Sequence, residues 1–429
     1  MSTRKFSLVL LLCLFLLSGG LTACRGNNNS AANAPTGGEH NPSDKNRMIT
    51  IMTRDSIQTN WPAYQKKVEE VTGVNIKVVA APTNPDDMVA KMTTILSSGD
   101  NSIDILHVND ELITSFSRAC YLEPLEKDVM TPDIVENYSQ QYVKDMITYK
   151  DSIFSVPSYL DVLVFWVNHE KLKQVGMDVP KTKEEFLAFA KAITKGDVYG
   201  YGGAWERSYV FNEIGTFINL FGGDFYDWSN PRTREALTFM HDLVQKDKVT
   251  PISQLADIYD PMIQKFIDGK YGMLFMYTSA IPTFRSAGKY GPDKLDIVPM
   301  PNFGTNDAYM ASWHYVLNKS SGKKEDAKKV LTYFASKEGQ LSYNEMSGKL
   351  PARLDVINDP NFKGLGVEKI RDYIKNGNLR GRPMLPQTME YINGIGSIFQ
   401  KYVSDEITLD EAARQAKKES DRLIVIKQK

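Results

Sequence analysis

The sequence predicts an α/β fold in which two lobes are joined by crossover strands. Between residues 48 and 108, short apolar strands alternate with helical segments, a rhythm typical of right-handed βαβ units that place helices on both faces of a sheet. Two later stretches are long and extended, residues 153–168 and the pair 295–299 with 312–317, and helices lie between them. Because the rhythm weakens and recovers twice, we expect a second lobe reached by two crossovers rather than one long sheet.

The first lobe begins with strands and helices that alternate in order. The first strand is largely apolar, the second alternates between apolar and polar residues, and the segment at 85–97 has apolar residues at helical spacing. Gly73 ends the first helix, since glycine adopts the left-handed backbone that closes a helix without steric cost. The predicted elements are a strand at 48–52, a helix at 62–72, a strand at 74–80, a helix at 85–97 and a strand at 103–108.

Capping boxes mark two of the later helices. Thr182 with Glu185, and Thr408 with Glu411, have the spacing at which a hydroxyl and a carboxylate satisfy backbone N–H groups at a helix start. Further helices are predicted at 231–246 and 323–336 from their apolar spacing.

The amino terminus has the pattern of a secretory signal. Arg4 and Lys5 precede an apolar run at 6–17, which is too short to span a bilayer comfortably, and small residues lead to Cys24. The segment Leu-Thr-Ala-Cys at 21–24 resembles the lipobox of bacterial lipoproteins. This resemblance implies removal of residues 1–23, a lipid on Cys24 and a protein held at the extracellular face of the cell membrane. The alternatives are an ordinary secreted protein and an uncleaved anchor.

Residues 24–46 are predicted to form a flexible tether that starts at the lipidated cysteine. They are rich in Asn, Ala, Gly, Pro and Ser and contain almost no large apolar side chain. Such a composition cannot bury enough surface to offset the entropy of ordering the chain.

Composition and charge exclude several classes of function. Removal of the signal leaves 49 basic and 52 acidic side chains, so no nucleic-acid partner is expected. The five histidines are scattered, and we expect no metal site. There is no Gly-x-Ser-x-Gly, His-Glu-x-x-His or Gly-x-x-x-x-Gly-Lys motif, so we expect a protein that is not an enzyme and needs no cofactor.

The order of segments along nearly the whole chain resembles the extracellular solute-binding proteins of ABC importers, in the group related to maltose-binding protein. One departure stands out, because Trp313, His314 and Tyr315 occupy a place where small residues are usual. The segments that carry the resemblance are 102–105 with 121–125, 156–157 with 167–168, 266–273, 313–320, 350–353 and 382–383.

The resemblance implies a periplasmic-binding-protein-like fold with a central ligand cleft between two α/β lobes. Residues 47–160 plus 295–320 would form the amino-terminal lobe, and 161–294 plus 321–429 the carboxy-terminal lobe. It also implies a monomer whose partners are a small sugar ligand and the permease subunits of the importer.

Aromatic residues near the predicted crossovers supply the physical case for a sugar. Tryptophan and tyrosine rings cover the apolar face of a pyranose, while carboxylates, amides and arginine bind its hydroxyl rim. Trp205 and Glu206 follow a glycine-rich turn at 200–204, although Trp205 would alternatively pack inside the second lobe. Trp313 either stacks on a sugar or fills space between the lobes.

Acidic residues at strand ends add to this candidate site. Asp110 follows the third strand, where open α/β sheets bind ligands, or else it caps a helix. Asp161 interrupts the apolar run of the first crossover, and its charge needs either a ligand hydroxyl or a hinge salt bridge. The resemblance implies that Tyr159, in the same crossover, also lines the cleft.

Three further residues complete the candidate set. Tyr277 matches a position where the family places an aromatic residue in the second lobe, with plain strand packing as the alternative. Arg382 and Arg54 have the planar donors that bind hydroxyls or carboxylates, with surface ion pairing as the alternative.

Rival interpretations stay open on the sequence alone. A secreted glycosidase would use a pair of carboxylates such as Asp161 and Glu206 as acid and base. A binding protein for a non-sugar ligand such as a peptide, or a lipoprotein that presents its surface to a partner, would show the same elements.

The lipobox yields a direct test. Cys24→Ala in the full-length chain should abolish lipid attachment, because the cysteine sulfur is the acceptor, and the protein should move from the detergent phase to the aqueous phase. Cys13→Ala, which changes a cysteine inside the apolar run, is the matched control and should leave partitioning unchanged. Detergent partitioning of cell extracts measures both, and a Cys24 variant that stays in the detergent phase contradicts lipidation at this residue.

Overall fold

The structure, a computed structural model of the chain, describes residues 47–376, 379–381 and 387–425. The predicted signal peptide at 1–23, the tether at 24–46 and Arg382 lie outside these residues.

Eleven strands occur in the described residues, and most of them belong to one mixed sheet. They are β1 (Met48–Thr53), β2 (Asn75–Ala80), β3 (Ile105–Asn109), β4 (Thr148–Tyr149), β5 (Ser152–Ile153), β6 (Ser155–Asn168), β7 (Tyr199–Gly202), β8 (Tyr271–Tyr277), β9 (Leu295–Val298), β10 (Ala308–Leu317) and β11 (Leu379–Gly381).

Helices pack around this sheet. Those of the described residues are α1 (Trp61–Thr72), α2 (Pro85–Ser97), α3 (Ile113–Arg118), α4 (Pro132–Val135), α5 (Gln140–Tyr142), α6 (His169–Val175), α7 (Lys183–Ile193), α8 (Val210–Phe221), α9 (Pro231–Gln245), α10 (Tyr259–Ile267), α11 (Ile281–Ser286), α12 (Lys324–Ala335), α13 (Lys337–Ser347), α14 (Leu354–Ile357), α15 (Val367–Asn376), α16 (Thr388–Val403) and α17 (Leu409–Val425).

The sheet has the order β2-β1-β3-β10-β6-β8-β7, with β9 paired to β6 and β11 paired to β10. β1 is parallel to both β2 and β3, as the predicted βαβ units require. β10 is antiparallel to β3 and to β6, so two long antiparallel strands lie at the middle of the sheet.

β6 and β10 each pair with different strands along different parts of their length. Residues 313–317 of β10 pair with β3, and residues 308–310 of the same strand pair with β11. The start of β6 pairs with β10, and residues 163–167 pair with β8. The predicted extended run at 153–168 is confirmed for residues 155–168, which form one continuous, buried strand, whereas Ile153 belongs to β5.

The second predicted crossover needs correction. Residues 295–298 form the separate strand β9, which pairs with residues 165–168 of β6, and only β10 runs along the middle of the sheet. An extended apolar tetrapeptide has the same sequence pattern in either position, so the pattern could not distinguish them.

The boundaries of the two lobes remain a prediction. The contacts of β9 and of the helix pair α12 and α13 are relevant to them. β9, assigned from the sequence to the amino-terminal lobe, pairs with the half of β6 that also pairs with β8. Helices α12 and α13, assigned to the carboxy-terminal lobe, pack against α1, and α12 also contacts β1.

The predicted helix caps are present. Thr182 Oγ1 accepts a hydrogen bond from the backbone N–H of Glu185 at 3.2 Å, and Thr408 accepts from Glu411 at the same distance. The Glu185 carboxylate bonds the N–H of Lys181 rather than that of Thr182. Both caps satisfy N–H groups that have no partner inside the helix.

Helix α8 was not predicted, and all twelve of its residues are buried. Its polar residues Asn212, Glu213, Thr216 and Asn219 recur at helical spacing, but they too are buried within the protein. The helix lies within a cluster of phenylalanine rings to which Phe217 of α8, Phe239 and Phe303 contribute.

Helix α16 approaches a neighbouring loop closely enough to exclude a side chain at Gly396. A β-carbon at this position would lie 1.8 Å from the Arg207 carbonyl oxygen, so the backbone must move to admit it. At Gly394 on the same helix, the first obstacle is the flexible end of Glu419 at 3.0 Å.

These two glycines form a matched pair for a stability measurement. We expect Gly396→Ala to lower the free energy of unfolding by about 2–3 kcal/mol, because helix and loop must separate. Gly394→Ala should be neutral or stabilising by up to ~1 kcal/mol, because alanine favours the helix. Urea denaturation measures both, and equal effects would contradict the close approach.

Candidate functional site

The site is built where β3, β10 and β6 lie side by side. β3 ends at Asn109, and Asp110 begins the short turn Asp110–Leu112, with its side chain fully buried. Asp110 Oδ2 accepts the backbone N–H of Ser312 in β10 at 3.1 Å. The predicted acidic residue at the strand end therefore lies one residue from Trp313 of the neighbouring strand.

A β-bulge aligns Tyr159 with Trp313. Tyr159 pairs with Trp313 and Pro157 pairs with His314, so Ser158 is an extra residue in β6. The Ser158 hydroxyl donates a hydrogen bond to the Trp313 carbonyl oxygen at 2.7 Å. Bulges re-aim neighbouring side chains, and this one sets the directions of two candidate residues.

The unusual run Trp313, His314, Tyr315 has one member that reaches the surface. His314 is fully buried, with Nε2 lying 2.6 Å from the Tyr142 hydroxyl and Nδ1 lying 3.1 Å from the Ser155 hydroxyl. Tyr315 is also buried, whereas Trp313 is half-buried. Of the three, Trp313 can present its ring to a ligand.

The Tyr159 ring belongs to the floor of the site. It is buried, and the Lys349 Nζ atom lies 4.3 Å from its centroid. The Tyr343 ring stacks on it with a centroid distance of 5.9 Å. Because the protein surrounds this ring closely, Tyr159 shapes the floor more than it offers a free face.

Asp161 is held by the turn that follows β8. Its Oδ1 atom accepts the Thr278 hydroxyl at 3.0 Å and the Ser279 backbone N–H at 2.9 Å. Burial raises the pKa of Asp161 to about 6, although these donors and the charge of Lys349 oppose the change. The partners are hydroxyl and backbone groups rather than a salt bridge with a neighbouring cation.

Tyr277 is the last residue of β8 and belongs to a group of tyrosines. Its hydroxyl donates to Asn212 Oδ1 at 3.1 Å, and Asn212 Nδ2 donates to the Tyr259 hydroxyl at 2.8 Å. The Tyr259 ring lies edge-on to both Tyr277 and Tyr209. Asn212 was not among the predicted site residues. The signal that could have identified it is the presence of an amide side chain in a largely apolar stretch of sequence.

Trp205 lies in the core, as the packing alternative predicted. It is fully buried, its Nε1 donates to Glu213 Oε2 at 2.8 Å, and its ring lies 5.4 Å from that of Phe399. Glu213 also accepts from Tyr201 and from the Ala204 N–H, while burial raises its pKa to about 7. This carboxylate fixes the turn at 203–205.

Glu206 is partly exposed, one residue beyond this turn. Its carboxylate accepts the Ser208 backbone N–H at 2.9 Å and lies 3.7 Å from Arg207 Nε. Burial raises the pKa of Tyr209, and the charges of Arg54 and Glu206 both act on this phenol. Glu206 and Arg54 therefore lie near the same tyrosine.

Arg54 follows β1 and reaches the Trp313 ring. Its guanidinium carbon lies 5.7 Å from the ring centroid, and the His107 ring lies 5.2 Å from the same indole. Arg54 and Trp313 are both half-buried.

The structure thus brings together six of the predicted residues and separates one. Burial raises the pKa of Tyr277, and the charges of Asp161 and Asp110 act in the same direction, so these side chains lie in one cluster. Trp205 lies apart in the core, Glu206 lies at the edge, and Arg382 is outside the described residues. The six residues, which we call the cleft cluster, are Arg54, Asp110, Tyr159, Asp161, Tyr277 and Trp313.

The cleft cluster suits a neutral or polar organic ligand better than a metal ion. Within the described ranges, no three His, Cys, Asp or Glu side chains are grouped so as to hold a metal. Aromatic rings lie beside carboxylates and a guanidinium, which is the combination that binds the faces and hydroxyls of polyhydroxy compounds.

Comparison with known proteins gives the family. Residues 55–341 match the family described as bacterial extracellular solute-binding protein. The chain belongs to this family. This solute-binding protein has a two-lobed periplasmic-binding-protein fold, and its family consists of binding proteins of ABC transporters, which are not enzymes. The glycosidase alternative is therefore wrong.

Several relatives illustrate the family. An uncharacterized ABC transporter extracellular-binding protein of Pyrococcus horikoshii is 22% identical over 83% of this chain and 82% of its own. The fructooligosaccharide ABC transporter substrate-binding protein FusA of Streptococcus pneumoniae is 24% identical over 55% of this chain and 47% of its own. The maltose-bound MalE3 of T. maritima superposes with a TM-score of 0.76 at 22% identity, covering 88% of this chain and 99% of that one.

In the part of the chain that the structure describes, no helix is both long and apolar enough to cross a membrane.

The raised pKa of Asp161 predicts a pH-dependent contribution to stability. A carboxyl with a pKa of about 6 when folded and 3.8 when unfolded binds its proton more tightly in the folded state. The folded state therefore loses up to ~3 kcal/mol as pH rises from about 4 to about 6. Asp161→Asn removes this loss, so its stability relative to the parent should improve over that range.

Urea denaturation at pH 4.5 and pH 7 checks this expectation. Asp178→Asn removes an exposed carboxylate and is the control, whose difference from the parent should stay within about 0.5 kcal/mol at both pH values. An Asp161→Asn difference that is the same at both pH values contradicts a raised pKa.

Proposed function

We propose that this solute-binding protein is a lipid-anchored receptor at the extracellular face of the cell membrane. It binds an oligosaccharide or a related sugar between its two lobes and delivers it to the permease of an ABC importer. The observation that carries the proposal is the cleft cluster itself, since Trp313, Tyr277 and two buried carboxylates meet on the long strands β6 and β10 and at the strand ends beside them.

The chemistry of the cleft cluster favours a sugar. The half-buried Trp313 indole offers an apolar face to the C–H groups of a pyranose ring, and Asp110 and Asp161 provide acceptors for its hydroxyl protons. Desolvated carboxylates that already have hydrogen bonds keep fixed positions, which suits recognition of hydroxyl geometry.

The names of similar proteins point the same way. One relative is described as binding fructooligosaccharides, and one similar structure holds maltose. We extend sugar binding to this chain because its own cleft cluster provides the aromatic and acidic groups that such ligands require.

The mechanism contains no bond chemistry. We infer that one lobe comprises β1 to β3 with α1, α2, α12 and α13, and that the other comprises β7 to β9 with the helices between them. β6 and β10 connect the two. Ligand contacts on both lobes stabilise the closed form, and the permease recognises that form.

The lipid on Cys24 and the tether at 24–46 keep the receptor near the permease. A tethered monomer has a raised effective concentration at a partner in the same membrane. This part of the proposal rests on the lipobox and the composition of the tether.

Removal of the Trp313 indole tests the proposed sugar site. A thermal-shift panel of neutral and acidic oligosaccharides and peptides first identifies a ligand, since a ligand of the folded state raises its melting temperature. Trp313→Ala should then weaken a saccharide by about 10- to 100-fold in calorimetric titration, because the ring contact is lost. Phe362→Ala, a half-buried aromatic outside the cleft cluster, is the control and should change affinity less than about threefold.

Two outcomes would contradict the proposal. A peptide that binds tightly while no saccharide binds would assign the site to a different ligand class. A saccharide that binds Trp313→Ala as tightly as it binds the parent would move the sugar away from the cleft cluster.

A further inference from the structure

We propose that Arg54 determines specificity for an acidic saccharide, with its guanidinium binding a carboxylate of the ligand beside Trp313. The inference rests on the proposed sugar-binding function and narrows it to uronic-acid-containing oligosaccharides. It follows from the position of Arg54, from the commitments of the acidic groups around it and from the geometry of the guanidinium.

Arg54 is the cation at the cleft cluster without an acidic partner. Its guanidinium lies over the Trp313 ring at 5.7 Å, and it makes no ion pair with any of the described residues. Lys349, the other cation near Tyr159, lies 3.2 Å from Asp55 Oδ1. The positive charge of Lys349 is therefore already compensated, whereas that of Arg54 is not.

Asp55, which follows Arg54 in the sequence, has partners for its carboxylate other than Arg54. Asp55 Oδ1 accepts from Lys349 and from Gln58 Nε2 at 2.8 Å, and Oδ2 accepts the Tyr343 hydroxyl. Burial opposes ionisation of Asp55, but the charge of Lys349, with smaller effects of its other neighbours, lowers its pKa to about 2. Asp55 is thus an ionised carboxylate engaged by Lys349, Gln58 and Tyr343 rather than by Arg54.

His107, whose ring lies beside Trp313, contributes no charge to this part of the site. His107 Nδ1 lies 3.0 Å from the Thr53 hydroxyl and Nε2 lies 2.9 Å from the Ser158 hydroxyl. Burial lowers the pKa of His107 to about 4, so its ring is neutral at physiological pH. His107 therefore adds no positive charge beside Trp313, and Arg54 is the cation that lies over its ring.

Stacking on an indole leaves the edge of a guanidinium available. The Arg54 guanidinium carbon lies 5.7 Å from the Trp313 ring centroid, and a guanidinium carries its five N–H donors in its own plane. Two parallel N–H groups match the two oxygens of a carboxylate better than a single hydroxyl. A sugar acid placed against Trp313 brings its carboxylate to this edge.

Glu206 offers the main competing explanation. Burial raises the pKa of Tyr209, Arg54 lowers it and Glu206 raises it, so both charges lie near this phenol and the two residues could pair when the lobes close. The Glu206 carboxylate is, however, already engaged with Ser208 and lies 3.7 Å from Arg207. A pairing between Arg54 and Glu206 would support closure around every ligand, whereas an acid-specific Arg54 affects only charged ligands.

Matched ligands separate these explanations. The probes are oligogalacturonates, oligomannuronates and hyaluronan fragments, each compared with its own carboxyl-reduced neutral form. Calorimetric titration is carried out with the parent protein, Arg54→Gln, Arg54→Lys and Arg232→Gln. The last removes one exposed positive charge on α9 and controls for net charge.

We expect at least one acidic probe to bind the parent about 10-fold or more tightly than its reduced form. Arg54→Gln should weaken that probe by about 10- to 100-fold and the reduced form by less than about threefold. Arg54→Lys should give an intermediate loss, since it keeps the charge and loses the planar donors, and Arg232→Gln should match the parent. The unfolding midpoint of each variant verifies that the fold is retained.

Other results overturn the inference in distinguishable ways. If reduced probes bind as tightly as acidic ones, or if Arg54→Gln weakens the binding of both forms equally, Arg54 does not recognise a carboxylate of the ligand. The proposed sugar-binding function is still supported in that case. If no saccharide of either kind binds, the proposed function fails together with the inference.

Discussion

The candidate site depends on the antiparallel pairing of β6 with β10 and on the one extra residue, Ser158, within it. The shift of register at Trp313 and His314 aligns Tyr159 with Trp313. The bulge is held by two bonds, because the Ser158 hydroxyl donates to the Trp313 carbonyl and lies 2.9 Å from His107. A bulge without these partners would leave a buried hydroxyl and a buried carbonyl unsatisfied, which is costly.

Most polar side chains near the pairing of β6 with β10 have hydrogen-bond or ion-pair partners within the protein. His107 lies between two hydroxyls, Asp55 is compensated by Lys349, and Asp161 accepts from Thr278 and Ser279. Breaking such a buried pair by removing one partner costs several kcal/mol, on the order of 3–5 for an ion pair. These groups therefore define a floor whose side chains are held by hydrogen bonds within the protein and in which the Asp55 charge is compensated by Lys349.

The sequence predicted those parts of the molecule in which a local pattern has one structural meaning. Periodic segments gave β1 to β3, α2 and the long strand β6, and two capping boxes gave helix starts. It misplaced β9, because a short strand does not reveal its partner, and it missed α8, whose polar residues are buried within the protein rather than facing solvent. Trp205 stayed ambiguous because the carboxylate that binds its indole, Glu213, comes from the next helix. The positions of Arg54 and Trp313 were predictable from strand ends, but their contact requires the sheet order.

In the proposed function, selectivity among sugars would follow from this division between matched and unmatched groups. A carboxylate or ammonium that is buried and paired cannot turn to a ligand without leaving its partner unsatisfied, so it contributes shape and hydrogen-bond geometry rather than charge recognition. A ligand charge is recognised by a group that keeps hydration until binding and exchanges it for the ligand. Arg54 meets this condition, because it is half-buried and held by the Trp313 ring rather than by an acid. In the proposed site the same indole thus serves two purposes, since it would present an apolar face to the sugar and lies 5.7 Å from the guanidinium that would bind a carboxylate.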